Sequence, residues 1–292
     1  IVLLDSNVSA KAFGKINLNL KVLPLKKDGF HDIESIFQTI SLYNQVIVEV
    51  KNCAGCEVFC DTIVLPQKNT ITMAYEAFCQ IAGIDVPGVK VTLIKGIPAG
   101  GGLGGGSSDA ATFIRLLQKI CRIKLSDEQL DFIASKTGSD VFFFMHCDEE
   151  GKGAALVSGR GDKVKKIHSR TDLYLLLIFP GVGSNTKEAY SMVDSFLVHG
   201  DKLNYPDFNE LETIYRLPPE KWNFNNTFYF ALEDKIPEIK KALDELKKTD
   251  AVYTAMSGSG STVFGVYTSL ENAKKAEQMV SNSWSVKLVQ TL

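Results

Sequence analysis

Hydrophobic spacing divides the chain into alternating helical and extended stretches. From 69 to 81 the apolar residues Ile71, Ala74, Ala77, Phe78 and Ile81 recur at helical intervals behind Asn69, a residue suited to N-capping, so a helix is predicted there. A second helix is predicted to start at about Ser107 or Ser108, with Ala110, Phe113, Ile114, Leu117, Ile120 and Cys121 forming one stripe. A third spans 126–136, capped by Ser126 with Asp127 and Glu128 in its first turn, and a short one follows near Gly138-Ser-Asp140. Alternation and β-branched content mark strands over 16–22, 45–50 and 89–95. In the second half the order is strand 173–179, helices around 186–217, helix 236–247, strands 251–256 and 262–266, helix 271–281 and strand 285–289. That order predicts an α+β protein whose later part is an antiparallel sheet with helices on one face. A boundary near residue 167 then gives two domains, 1–167 and 168–292.

Composition narrows the function classes. The 292 residues carry 32 Lys and Arg against 34 Asp and Glu, a net charge of −2, which argues against nucleic acid as the main partner. The most apolar run, Leu173 to Pro180, is too short to span a bilayer. Ile1-Val-Leu-Leu-Asp5 lacks the basic and long apolar regions of a secretory signal, so the cytoplasm is the expected location. Cys53, Cys56 and Cys60 cluster, but no second Cys-x-x-Cys or paired histidines follow at zinc-site spacing. They are expected to be reduced thiols in a strand-rich hairpin.

One stretch breaks the ordinary pattern. Residues 100–106 hold six glycines in seven positions, between the strand at 89–95 and the helix that follows. Consecutive glycines let backbone N–H groups converge on an anion, and a helix N-terminus adds unpaired donors and a positive dipole end. A linker would not feed an amphipathic helix so directly. Phosphate is the expected ligand. A Walker loop would place Lys and Ser or Thr after its last glycine, whereas Ser107 and Ser108 follow Gly106, so the cation must come from elsewhere, with Lys15 and Lys95 as candidates.

These residues resemble known motifs. Pro98-x3-Gly102-Leu103-Gly-Gly-Gly-Ser-Ser-Asp-Ala-Ala111 looks like the phosphate-binding motif of the GHMP kinase superfamily, Lys15-Ile-Asn-Leu-Asn-Leu20 its N-terminal motif and Ser257-Gly-Ser-Gly-Ser-Thr262 its third. Asp28-Gly-Phe-His-Asp-Ile-Glu-Ser-Ile-Phe-Gln38 is similar to the Asp-Gly-Tyr-His…Phe-Gln signature of the 4-diphosphocytidyl-2-C-methyl-D-erythritol kinase family within it. The resemblance runs from about Lys11 to the final strand. It implies the two-domain GHMP kinase fold, with an N-terminal ATP-binding domain of ribosomal-protein-S5-like type and a ferredoxin-like C-terminal domain. The implied activity is ATP-dependent phosphorylation of the 2-hydroxyl of a cytidylyl sugar-alcohol diphosphate, with magnesium bound mainly through the phosphates. Other superfamily kinases, of homoserine or mevalonate type, and a non-catalytic nucleotide-binding homologue are the competing readings.

Roles follow from the same resemblance. Asp140, in Thr137-Gly-Ser-Asp-Val141, stands at the catalytic aspartate of Gly-Ala-Asp-Val and is the expected base, with Lys15 as its partner. Asn69, Lys95, Pro98, Gly100, Gly101, Gly102, Leu103, Gly104, Gly105, Gly106, Ser107 and Ser108 are expected around the nucleotide. Asn17, Phe30, His31, Phe37, Thr186 and Tyr190 are expected on the acceptor side, with His31 reading the cytosine edge. Ser257, Gly258, Ser259 and Gly260 would close over acceptor and phosphates; a tight turn between two strands explains them equally well. For Phe37 a packing role is as plausible as a pocket role. Phe13-Gly14 before Lys15, Phe30 for Tyr and Ser139 for Ala depart from the family pattern, which bears on loop geometry more than on chemistry.

Overall fold

The computed structural model describes residues 7–199 and 203–292; Ile1 to Asp5, considered above as a leader, lie outside them. The chain divides into two compact units that interleave along the sequence, one taking residues up to 14, 42–98 and 104–152, the other 15–41, 99–103 and 153–292. Strands β1 (Asn7–Val22) and β2 (Ile33–Lys51) pair with each other and run through both.

The first unit adds β3 (Cys56–Cys60), α1 (Thr70–Ile81), β4 (Gly88–Ile94), α2 (Gly105–Cys121), α3 (Asp127–Thr137) and α4 (Ser139–Met145). The 45–51 half of β2 pairs antiparallel with β4, from Gln45 opposite Ile94 to Lys51 opposite Gly88. Of the predicted stripes, Ile71, Ala74, Ala77 and Phe78 on α1 and Ala110, Phe113, Ile114 and Leu117 on α2 are buried, whereas Ile81, Ile120 and Cys121 are partly exposed and α2 buries Ser108, Asp109, Ala111, Thr112 and Leu116 as well. Two expectations need correction. Helix α2 begins at Gly105, with Gly104 as its N-cap at φ +69°, and so takes in two glycines and both serines. Glycines carry no side chain to mark the period, so the apolar stripe sets in later than the helix does. The cysteine segment is not a hairpin strand, because β3 pairs parallel with β4 instead of with the strand before it. All six cysteines are free thiols, and burial pushes the Cys56 thiol up to about 12 and those of Cys79 and Cys121 upward as well.

The second unit adds β5 (Ala154–Gly159), β6 (Lys163–Ile167), β7 (Tyr174–Phe179), α5 (Thr186–His199), α6 (Leu211–Tyr215), α7 (Thr227–Leu232), α8 (Pro237–Lys247), β8 (Tyr253–Met256), β9 (Val263–Tyr267), α9 (Leu270–Val280) and β10 (Ser285–Gln290). The 33–38 half of β2 pairs antiparallel with β5, and β5 with β6. A separate antiparallel sheet has the order β10-β7-β9-β8. Helix α8 buries Ile239, Ala242, Leu243 and Leu246, and α9 buries Ala273, Ala276 and Val280. Leu175 to Ile178 of β7 are fully buried, which accounts for the unbroken apolar run in a strand flanked on both sides by partners.

Replacing Leu176, at 0% exposure in the interior strand β7, by Ala should lower the unfolding free energy by about 2–5 kcal/mol. The check is a shifted urea midpoint with an unchanged slope. A shift equivalent to less than about 1 kcal/mol would mean that this sheet is not where the second unit's stability lies.

Candidate functional site

In the second unit, three segments far apart in sequence meet at the carbonyl of Gly102. Lys15 on β1 donates from Nζ to that carbonyl at 3.0 Å and to Asn17 Oδ1 at 2.7 Å. Ser257, just after β8, donates from Oγ to the same carbonyl at 3.0 Å. Backbone bonds tie the loop on either side, from Lys15 N–H to the Leu103 carbonyl at 2.9 Å and from Thr262 N–H to the Gly101 carbonyl at 3.2 Å. Lys15 is 3% exposed, and its ammonium lies 4.9 Å from the centre of the Phe37 ring, itself buried at 1%. Asn17 donates from Nδ2 to Ser35 Oγ at 3.0 Å. A buried ammonium is thus fixed by amide and carbonyl dipoles beside the glycine loop, an arrangement suited to a phosphoryl group.

The turn from Ser257 to Gly260 is braced from two directions. Asn226 caps α7 with its side-chain oxygen and donates from Nδ2 to the carbonyls of Met256 and Gly258 at 2.8 and 3.0 Å. Ser184 donates from Oγ to the Ser259 carbonyl at 2.6 Å, and Thr186 Oγ1 lies 3.2 Å from Ser259 Oγ. Asn226 has no motif around it in sequence. Its only signal is an Asn before an apolar helical run, which marks a cap and not a brace.

His31 belongs to the same unit. Its Nδ1 is 2.7 Å from the Leu23 carbonyl, which can only accept, so Nδ1 carries the proton. Its Nε2 faces Asp194 of α5 at 3.2 Å, and its ring stacks on Tyr190 at 5.0 Å and 20°. Phe30 is half exposed, with the Arg160 guanidinium 3.8 Å over its ring and bonded to Asp28 at 2.9 Å. Gln38, from the same signature, is fully buried and donates from Nε2 to the Leu292 carbonyl at 2.7 Å, a structural tie.

In the first unit, Asn69 is the N-cap of α1, with Oδ1 accepting from the N–H groups of Ile71 and Thr72 at 3.0 and 3.1 Å. Thr70 donates from Oγ1 to the Gly106 carbonyl at 3.3 Å, joining α1 to the first turn of α2. Ser107 and Ser108 lie in that turn, as the third and fourth residues of α2. Lys95 donates from Nζ to Asp109 Oδ2 at 2.8 Å, and Asn44 donates from Nδ2 to Asp109 Oδ1 at 2.8 Å. Burial pushes the Asp109 carboxyl upward, opposed by the Lys95 charge and by these bonds. Asp140 is half-buried in the first turn of α4, behind Gly138. Among the described residues no three or more His, Cys, Asp or Glu side chains gather as a metal site, and no helix is long and apolar enough to cross a membrane.

The chain is similar to known proteins over most of its length. The family model described as GHMP kinases N terminal domain matches residues 69–148, and the one described as GHMP kinases C terminal matches 218–286. The chain is 35% identical over 285 residues to 4-diphosphocytidyl-2-C-methyl-D-erythritol kinase of Treponema pallidum, covering 95% of this chain and 96% of that protein. It is 37% identical over 264 residues to the kinase of the same name from Thermotoga maritima, covering 88% and 90%. A crystal structure of 4-(cytidine 5'-diphospho)-2C-methyl-D-erythritol kinase superposes with a TM-score of 0.78 at 26% identity, over 97% of this chain and 99% of that one. Homoserine kinase from Cytophaga hutchinsonii superposes with a TM-score of 0.74 at 17% identity, over 100% and 96%, a likeness of fold.

Gly102 sits at φ +76°, and a Cβ there would lie 2.1 Å from the Ser257 carbonyl oxygen. Gly83 has φ +67° with nothing within 4 Å of such a Cβ. Gly83→Ala should therefore report strain alone, about 1–2 kcal/mol, and Gly102→Ala should lose a further 1–3 kcal/mol or so from the clash. Equal thermal midpoints for the two variants would show that the backbone contact at Gly102 contributes nothing.

Proposed function

The chain belongs to the 4-diphosphocytidyl-2-C-methyl-D-erythritol kinase family of GHMP kinases, and we propose that it transfers the γ-phosphoryl group of ATP to the 2-hydroxyl of 4-diphosphocytidyl-2-C-methyl-D-erythritol, in the non-mevalonate route to isoprenoids. The observation that carries the reading is the nearly end-to-end likeness to relatives of that name. The convergence of Lys15, Gly102 and Ser257, one from each superfamily motif, supports it from the geometry.

In this reading Asp140 accepts the hydroxyl proton as the acceptor oxygen attacks the γ-phosphorus; the bond to the β,γ-bridging oxygen breaks and ADP leaves. Lys15 is the partner of that carboxylate and offsets charge on the transferred oxygens. Its buried, doubly held ammonium suits the task, because a fixed charge in a dry setting needs no reorganisation during the reaction. The loop from Pro98 through Gly100, Gly101, Gly102, Leu103, Gly104, Gly105 and Gly106 to Ser107 and Ser108 cradles the phosphates, with Asn69 and Lys95 on the nucleotide side. Magnesium would neutralise phosphate charge and would be held mainly by the phosphates and water.

On the acceptor side, His31 reads the cytosine edge; Nδ1 is engaged with the Leu23 carbonyl, so the base would meet the ring at Nε2, in place of the Asp194 carboxylate that faces it at 3.2 Å. Tyr190 and Phe30 supply aromatic surface, and Phe37 acts as the ring beneath the Lys15 ammonium. Asn17, Thr186 and the Ser257-Gly258-Ser259-Gly260 turn contact the acceptor's polar chain. A nucleotide-binding domain over 1–167, a second domain over 168–292 and a cytoplasmic location belong to the same proposal; the two matched family models fall one in each range.

A coupled ADP-release assay with this acceptor tests the reading. Asp140→Asn should reduce turnover by about 100-fold or more while ATP still binds. Turnover by the variant equal to wild type would remove Asp140 as base. No turnover by wild type, with activity on homoserine or mevalonate instead, would remove the acceptor. His31→Ala should impair the cytidylyl acceptor without changing ATP affinity.

A further inference from the structure

The glycine loop is fixed at both ends by one side chain that no motif contains. Asn44 lies in β2, is 0% exposed, and accepts at Oδ1 from the N–H groups of Gly96 and Ile97 at 2.9 and 2.8 Å, the residues that lead into the loop. Its Nδ2 donates at 2.8 Å to Oδ1 of Asp109, on the helix that leads out of it. Asp109 is 1% exposed, and its other oxygen accepts from Lys95 Nζ at 2.8 Å. The amide has one orientation that serves both sides. Backbone N–H groups only donate and an ionised carboxylate only accepts, so the oxygen must face Gly96 and Ile97 and the nitrogen must face Asp109. The backbone around the clamp is closely packed: a Cβ at Gly96 would lie 2.3 Å from the Tyr43 carbonyl oxygen, and one at Gly105 would lie 3.2 Å from Ile97 Cγ2.

We propose that Asn44 and Asp109 are positioning residues for nucleotide binding: they hold the strand before the glycine loop and the helix after it at a fixed separation, and Asp109 fixes the Lys95 ammonium beside them. The proposal rests on the nucleotide role of the loop given above and deepens it. A loop of glycines has little stiffness of its own, so the convergence of its N–H groups depends on where its ends are anchored. Asn44 sets that anchorage without touching the ligand.

The chain of donors and acceptors predicts a rescue. In N44D a carboxylate faces the Asp109 carboxylate, acceptor against acceptor. In D109N the Lys95 ammonium loses its charged partner. In the double variant N44D/D109N every donor meets an acceptor again: the carboxylate at 44 takes the Gly96 and Ile97 N–H groups and the amide N–H of 109, whose oxygen takes Lys95. The net charge is unchanged. ATP affinity, measured by calorimetry on the full chain without acceptor, should weaken about tenfold in each single variant and return to within about threefold of wild type in the double. Because D109N is close to isosteric, it keeps the comparison informative should N44D fail to fold. A double variant as weak as the product of the two singles overturns the proposal. So does wild-type ATP affinity in singles whose thermal midpoint has fallen, which would make the network purely structural. A mistaken acceptor would show in wild-type turnover, whereas a mistaken clamp shows in the affinity series.

Discussion

Two glycine-rich segments, about 155 residues apart in sequence, pack backbone against backbone, and the second unit's site is arranged around that contact. A Cβ on Gly102 would meet the Ser257 carbonyl oxygen at 2.1 Å, and a Cβ on Gly258 would meet the Gly102 carbonyl oxygen at 2.8 Å. Each segment thus requires the other to lack side chains. With no side chains between them, the Gly102 carbonyl is close enough to take the Lys15 ammonium and the Ser257 hydroxyl together. The glycines in both motifs therefore have a steric reason as well as a conformational one.

The same contact explains how a cation stays buried without a Walker lysine. A lysine within the loop would move with it. Lys15 instead projects from the long strand β1, where Asn17, two residues along, lies on the same side and accepts from its ammonium, and where Phe37 of β2 lies beneath it. Strand geometry fixes the charge and the loop is built up to it. The Asn226 brace and the Ser184 bond complete this from behind the Ser257 turn, holding the carbonyls of Met256, Gly258 and Ser259.

Helices α1, α8 and α9 were legible in the sequence because each hides one stripe and leaves most of the rest toward water, which is the condition under which period reports structure, whereas α2 is buried at nearly every position from Ser108 to Leu117 and begins before its predicted start. The long strands were legible only in part, over 16–22 and 45–50: β1 runs 16 residues and β2 19, and from Ala12 to Leu20 on β1 every residue is buried, so the burial pattern has no alternation to mark the strand's extent. Motif resemblance located Lys15 and Gly102, yet neither it nor periodicity pointed to Asn44. The sequence does contain a trace of it: Leu42, Asn44, Val46 and Val48 are successive inward positions of β2, and one polar residue in that phase signals a buried hydrogen-bonding duty. The partner could not be read, because Asp109 lies 65 residues away.

His31 illustrates how geometry refines a role that resemblance only assigns. The signature names a histidine near a base, but an imidazole has two edges and two neutral tautomers. The Leu23 carbonyl settles one edge by demanding a proton at Nδ1, and the Asp194 carboxylate facing Nε2 also accepts only. The Asp194 carboxylate lies on α5, the same helix that carries Tyr190 against the ring, so the stacking surface and the acidic neighbour arrive together on one element.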